Sequence, residues 1–285
     1  MATVAVINRK GGSGKSTLAT QLAGSLANRG LQVMLGDVDR QQSSLAWLRR
    51  RAAQPLVKGA EIVGSAFGTK SVIRPTAGIT HVVLDTPGGL QGYDLARIAM
   101  SADAILMPVS DSVFDRESAL ECHAELMTLP RVAAGRCKVA VVGMRVDART
   151  KGAARLEAWA LEHGLPYVGS LRDSQVYRRC AEQGLSLFDV APAKVEADLA
   201  QWRPITEWVD KTLAAAARLE ASSKGAVPVS APSIAPQAQP RRRTLVRAPL
   251  PVSAPASEFM PSRHGARPPR AQRFGWLFTV FRSFS

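Results

Sequence analysis

Asn8-Arg9-Lys10-Gly11-Gly12-Ser13-Gly14-Lys15-Ser16-Thr17 constrains this chain more than any other stretch. An apolar run, Thr3-Val4-Ala5-Val6-Ile7, leads into it and reads as a buried strand. Behind it Leu18, Leu22 and Leu26 recur at helical spacing among alanines. Strand, glycine-rich loop and helix in that order predict a phosphate-binding loop. Gly11, Gly12 and Gly14 let successive backbone N–H groups converge on phosphate oxygens without Cβ clashes, with Ser13 between them. In such a loop Lys15 reaches the β- and γ-phosphates of a nucleotide. Ser16 is placed to coordinate Mg²⁺, and Thr17 completes the hydroxyl pair.

The body of the chain repeats strand and helix. Apolar runs at 31–37, 79–85, 102–109, 138–144 and 167–169 read as strands, with a shorter one at 61–63. Helical stretches begin near Leu45, end at Leu129, cover 152–163 and 176–184, and close with a long helix over 193–221. Short joins between them predict an α/β fold, a doubly wound and mostly parallel sheet flanked by helices. Residues 55–78 carry the least pattern. Trp47 and the stripe Leu199, Trp202, Ile205, Trp208, Val209 are expected to pack in the core.

Two acidic segments stand at strand ends: Asp37-Val38-Asp39-Arg40-Gln41-Gln42-Ser43-Ser44 and Asp85-Thr86-Pro87-Gly88-Gly89. With the loop, they resemble the ParA/MinD family of P-loop ATPases. The common pattern would put glycine at position 9; here Arg9 stands there, and a second lysine, Lys10, opens the loop. This matches that family's deviant Walker A motif. Arg40 and Gln42 replace the usual proline and glycine of the first switch, and Gly88 a proline of the second. The resemblance covers residues 1–221. It implies ATP and Mg²⁺ as ligands, with Lys10 and Lys15 acting on the phosphates and Lys10 reaching a partner subunit's nucleotide. Asp39 is implied to orient the attacking water and, with Ser16 and Asp85, to form the metal side of the site. Leu171-Arg172-Asp173 matches the segment beside the base, which makes Asp173 a candidate adenine ligand.

The net charge of +14 is uneven. Ten Lys and Arg stand against one acid, Glu258, beyond Ser222, so nine of those charges fall in the last 64 residues. Ten of the eighteen prolines lie there too. Such a composition predicts disorder over 222–272, a basic linker, because it buries too little surface to offset chain entropy. Residues 273–285 end it, and in helical register Phe274, Leu277, Phe278, Phe281 and Phe284 share a face. That short segment is too short to span a bilayer. It is read as docking into a partner, lying on an anionic membrane, or packing on its own body. A basic balance points to a polyanionic partner. Cys122, Cys137 and Cys180 are widely spaced and read as buried thiols, and the chain opens on a strand with no signal peptide, so a cytoplasmic protein is expected.

The resemblance further implies an ATP-dependent homodimer whose slow hydrolysis is stimulated by an adaptor or ParB-like protein. The short partition-type members bind DNA without sequence preference, and Arg149, Lys151, Arg172, Arg178 and Arg179 are the candidate phosphate contacts here. The expected function is a nucleoid-associated ATPase that positions a plasmid, a chromosome locus or a protein cluster. A MinD-like peripheral membrane ATPase anchored by 273–285 is the alternative. An iron–sulfur reductase would need a bridging pair of cysteines in Gly-rich surroundings, which Cys122 and Cys137 lack, and an amide or carboxyl ligase has no substrate site that can be named.

Overall fold

The computed structural model describes residues 1–55, 60–68, 74–147 and 149–225. The basic linker and the aromatic terminal segment expected at 226–285 lie outside the described residues. Seven strands form one sheet: β1 (Ala2–Val6), β2 (Val33–Asp37), β3 (Ile62–Ala66), β4 (His81–Asp85), β5 (Ala104–Val109), β6 (Lys138–Val146) and β7 (Tyr167–Arg172). Their order is β3-β2-β4-β1-β5-β6-β7, and every pairing is parallel. The helices are α1 (Lys15–Asn28), α2 (Ser43–Arg51), α3 (Gly92–Ser101), α4 (Val113–Thr128), α5 (Pro130–Ala133), α6 (Gly152–Glu162), α7 (Gln175–Gln183) and α8 (Glu196–Gly225).

Period-two alternation sorts the strand side chains between two apolar layers. Val4 and Val6 of β1 join Leu18 and Leu22 of α1, Trp47 of α2, and Trp202, Ile205 and Val209 of α8. Ala5 and Ile7 face the other way, onto Leu95 of α3, Cys122 and Leu126 of α4, and Trp159 of α6. Helices therefore cover both faces, as an all-parallel sheet requires. No described helix is long and apolar enough to cross a membrane.

Several elements differ from the sequence reading. β7 runs on through Leu171 and Arg172, which read as loop, because Gly169 and Ser170 interrupt its apolar pattern. α3 has no capping side chain at its start, and α5 opens on Pro130 at its first position but is only four residues long, too short for a helical period to show in the sequence. The last helix begins at Glu196, after a 3₁₀ turn over Pro192–Lys194, and continues to Gly225.

Register decides where the chemistry sits. Val6 of β1 and Asp37 of β2 are both level with Asp85 of β4, so three strands end in one row. The loops leaving that row, beyond the carboxyl ends of the strands, meet above it. Thr86 Oγ1 donates to Val6 O at 2.7 Å and ties the β4 exit to β1.

Candidate nucleotide site

The loop after β1 is held by its own first residue. Asn8 Nδ2 donates to Pro108 O at 2.7 Å, and its Oδ1 accepts from Lys10 N at 2.9 Å. Gly14 sits at φ 99°, a left-handed conformation. Any side chain there would be strained and would also meet Met144 Cε at 2.8 Å. α1 follows with no side-chain cap, so its N-terminal N–H groups face the cavity.

That cavity measures about 700 Å³. Gly11, Gly12, Gly14, Lys15, Ser16 and Thr17 form its floor, with Asp39 and Gly88 beside them. Met144, Arg145, Leu171, Asp173, Ser174 and Tyr177 form its far wall. Lys15 is buried, and its Nζ donates to Lys10 O at 2.9 Å. Burial lowers its pKa, while the nearby carboxylates of Asp85 and Asp39 oppose that shift.

The two aspartates of the first switch divide their work. Asp37 is buried and accepts from the backbone N–H of Asp39 (3.0 Å), Ser44 (3.0 Å) and Leu45 (3.2 Å). It caps α2 from a distance, and burial raises its pKa against those bonds. Asp39 is half-buried, accepts from Gln41 N at 3.0 Å, and lines the cavity. Helix capping therefore falls to Asp37, and Asp39 faces the cavity. Gln42, where the related switch has glycine, takes a left-handed φ of 51°.

Asp85 is fully buried at the end of β4. One oxygen accepts from Ser44 Oγ at 2.5 Å, the Ser16 hydroxyl is close enough to favour the charged carboxylate, and Oδ1 has no hydrogen-bond partner. Burial pushes its pKa up to about 6, against those hydroxyls and Lys15. An orphaned buried carboxylate oxygen beside a hydroxyl at the phosphate loop fits Mg²⁺. Asp85 and Ser16 would hold the ion, which would supply positive charge to offset that of the phosphates. Among the described residues no three His, Cys, Asp or Glu side chains gather for a metal. A Mg²⁺ completed by substrate phosphates and water does not need such a cluster.

Lys10 does not enter its own cavity. Its Nζ pairs with Asp115 of α4 and lies 5.7 Å from the ring of Phe114, which is largely exposed. Arg9 is likewise turned to α4, paired with Glu125 and, at 3.4 Å, with Glu121. Glu125 also accepts from Gly92 N at 2.6 Å at the start of α3. Gly88 packs on the loop so closely that a Cβ there would lie 3.3 Å from Gly11 N.

The remaining candidates scatter. Asp173 lines the cavity and is 3.7 Å from Arg178, both about half exposed. Arg149 pairs with Asp147 on the surface, and Lys151 is exposed at the start of α6. Arg172 grips the buried Asp198 with two N–H groups on one edge of its guanidinium, Nε and Nη2 (2.7 and 2.8 Å), a structural task that the sequence did not reveal. Arg179 is exposed. Sequence reasoning missed Ser44, Asp115 and Arg145. Arg145 lines the cavity at φ 53°, a conformation its neighbours do not signal. Cys122, Cys137 and Cys180 are separate, buried and reduced, with burial pushing their thiols up to about 11, 12 and 11.

A parallel sheet with this loop at its switch point, and a carboxylate waiting at the end of the neighbouring strand, defines a P-loop nucleotide-binding ATPase. Residues 4–188 match the family described as the CobQ/CobB/MinD/ParA nucleotide binding domain, and the chain belongs to that family. It is 30% identical over 210 residues to the maintenance of carboxysome distribution protein A of Gloeobacter kilaueensis, covering 73% of this chain and 94% of that one. It is also 30% identical over 194 residues to the chromosome-partitioning ATPase Soj of Thermus thermophilus, covering 56% and 76%. Among solved structures, an ATP complex of a Cyanothece McdA variant shares the fold, with TM-score 0.57 at 16% identity, over 75% of this chain and 96% of that one.

Proposed function

We propose that this ATPase positions a cargo by binding ATP and Mg²⁺ as a homodimer and holding DNA without sequence preference while ATP is bound. The observation that carries the reading is the division of labour between two lysines of one loop. Lys15 lies inside the cavity, and Lys10 lies outside it, resting on Asp115 and Phe114 beside an exposed apolar rim. A lysine so placed can leave its resting partner for the phosphates of a facing copy. Its relatives' names, a carboxysome distribution protein and a chromosome-partitioning ATPase, support positioning as the outcome.

In this account the loop amides and Lys15 neutralise phosphate charge, Ser16 and Asp85 hold Mg²⁺, and Asp39 orients water. Asp173 contacts the base. Loss of the γ-phosphate removes the charge that draws Lys10 across, and the pair separates. The protein would then be cytoplasmic and nucleoid-associated, with an adaptor that stimulates hydrolysis. Gel shifts on unrelated duplexes test this: binding should require ATP and fade as salt rises, and binding indifferent to nucleotide contradicts it. Liposome co-sedimentation of the full chain against one ending at Ser222 tests the membrane alternative, which rests on residues 273–285 alone.

A further inference from the structure

Many of the chain's arginines are committed to the fold. Arg9, Arg29, Arg51, Arg131, Arg155 and Arg172 each sit in an ion pair. The run Arg49-Arg50-Arg51 at the end of α2 shows the contrast at three consecutive positions. Arg51 folds inward across Trp47, 5.1 Å from its ring, and grips the buried Asp189 at 2.6 and 2.9 Å. Arg49 and Arg50 point outward; Arg49 has no side-chain partner among the described residues, and Arg50 reaches only a carbonyl, Ala181 O, at 3.4 Å.

That carbonyl belongs to α7, which carries Arg178 and Arg179, also exposed. Gly184, at the end of α7, packs directly on the backbone of Arg50 and Arg51. Four guanidinium groups thus crown two helices in contact. α2 contains no acid, α7 contains Glu182, and Asp173 balances Arg178 alone. Neither helix shows an exposed large apolar side chain, although such residues occur elsewhere on the described surface. A protein groove or a membrane interface would want apolar anchors. Unneutralised arginine forks without them suit the phosphates of a duplex, held without reading its sequence.

Both helices are also walls of the nucleotide cavity. Gln41 and Ser43 lead into α2 and line it, and Ser44 is bonded to Asp85. α7 contributes Tyr177, Arg178 and Ala181 to the opposite wall. A nucleotide that closes this cavity would reset one arginine pair against the other.

We infer that α2 and α7 together form the DNA-docking face, with Arg49, Arg50 and Arg179 as phosphate contacts and Arg178 at the edge nearest the nucleotide. The inference rests on the ATP-dependent DNA binding proposed above, and adds where the DNA lies. The ordinary role of basic residues in a last helical turn is to complement the helix dipole; that role affects stability and leaves DNA affinity alone.

The test is fluorescence anisotropy of the full chain on a short duplex of arbitrary sequence, with ATP–Mg²⁺ and with ADP–Mg²⁺, over a range of KCl. R49A/R50A should lower the ATP-dependent affinity roughly tenfold and make the log–log salt slope shallower by about 1.8, near 0.9 per lost contact. R49K/R50K should restore most of the slope, and the thermal midpoint of each variant checks folding. R136A/R203A, exposed arginines on neither helix, should bind as the wild type does. Wild-type binding that R49A/R50A leaves intact, or that the control pair weakens equally, overturns this face and leaves the positioning reading standing. A wild-type chain that shows no ATP-dependent binding overturns both. Uptake by phosphatidylglycerol vesicles that needs Arg49 and Arg50, with no duplex binding, would reassign the face to a membrane and overturn the proposal.

Discussion

The middle of the sheet and its carboxyl rim are built by opposite rules. In the middle, Val4, Ala5, Val6, Ile105 and Leu106 are buried to 1% exposure or less, and every strand is locked in a parallel ladder. At the rim, polar groups are buried without partners. Five buried side-chain polar atoms lack one among the described residues, and Arg9 Nε, Ser13 Oγ and Asp85 Oδ1 belong to the phosphate loop or its neighbour. Among the described residues two non-glycine positions take left-handed backbone: Arg145, which lines the same cavity, and Gln42, which stands between the lining residues Gln41 and Ser43. The interior supplies stability, and the rim uses some of it to keep groups poised for a ligand.

The comparison breaks if the interior proves dispensable. Leu106→Ala should destabilise the fold by about 3–5 kcal/mol in denaturant titration. Nucleotide affinity of the molecules that remain folded should hardly change.

The rim should behave in reverse. Asp85→Asn removes a buried charge, so at pH 7.5 the ligand-free protein should gain about 2–3 kcal/mol, the worth of a pKa raised to about 6 from 3.8. A raised carboxylate pKa contributes stability that is fully present below about 4 and is lost as pH rises through about 6. The variant's gain should therefore shrink toward zero as pH falls across that window. Stabilisation by ATP with Mg²⁺ should disappear in the same variant. A loss of ligand-free stability at pH 7.5 would contradict the rim's description.

Gln42→Gly sharpens the contrast with the smallest effect. Relief of a left-handed side chain, worth about 1–2 kcal/mol, is largely offset by the freedom glycine gains when unfolded. A net gain below about 1 kcal/mol is expected by thermal melting. A clear loss would mean that Gln42 makes a contact worth more than its strain.

The same division explains what could be read from the sequence. β1, its loop and α1 were legible because alternation, glycine spacing and helical period all agree within Thr3–Leu26. Asp85 was legible as the end of an apolar run. Asp39 was legible only through the resemblance, and the capping of α2 by Asp37 shows only in the fold. Lys10 carried a resemblance but no hint of Asp115, which is far away in sequence. Arg172 looked like a surface cation because Asp198, its partner, lies on the last helix. Contacts of that range leave no local pattern, so the site's floor was visible and its walls, the Leu171–Asp173 segment aside, were not.

Light scattering of the full chain, with and without ATP and Mg²⁺, tests most directly whether two copies share their nucleotides. The account predicts a monomer in ADP and a dimer in ATP. Lys15→Ala should retain no nucleotide, and Lys10→Ala should bind ATP yet stay monomeric. A wild-type chain that remains monomeric while holding ATP, or a Lys10→Ala variant that dimerises as well as the wild type, would contradict it.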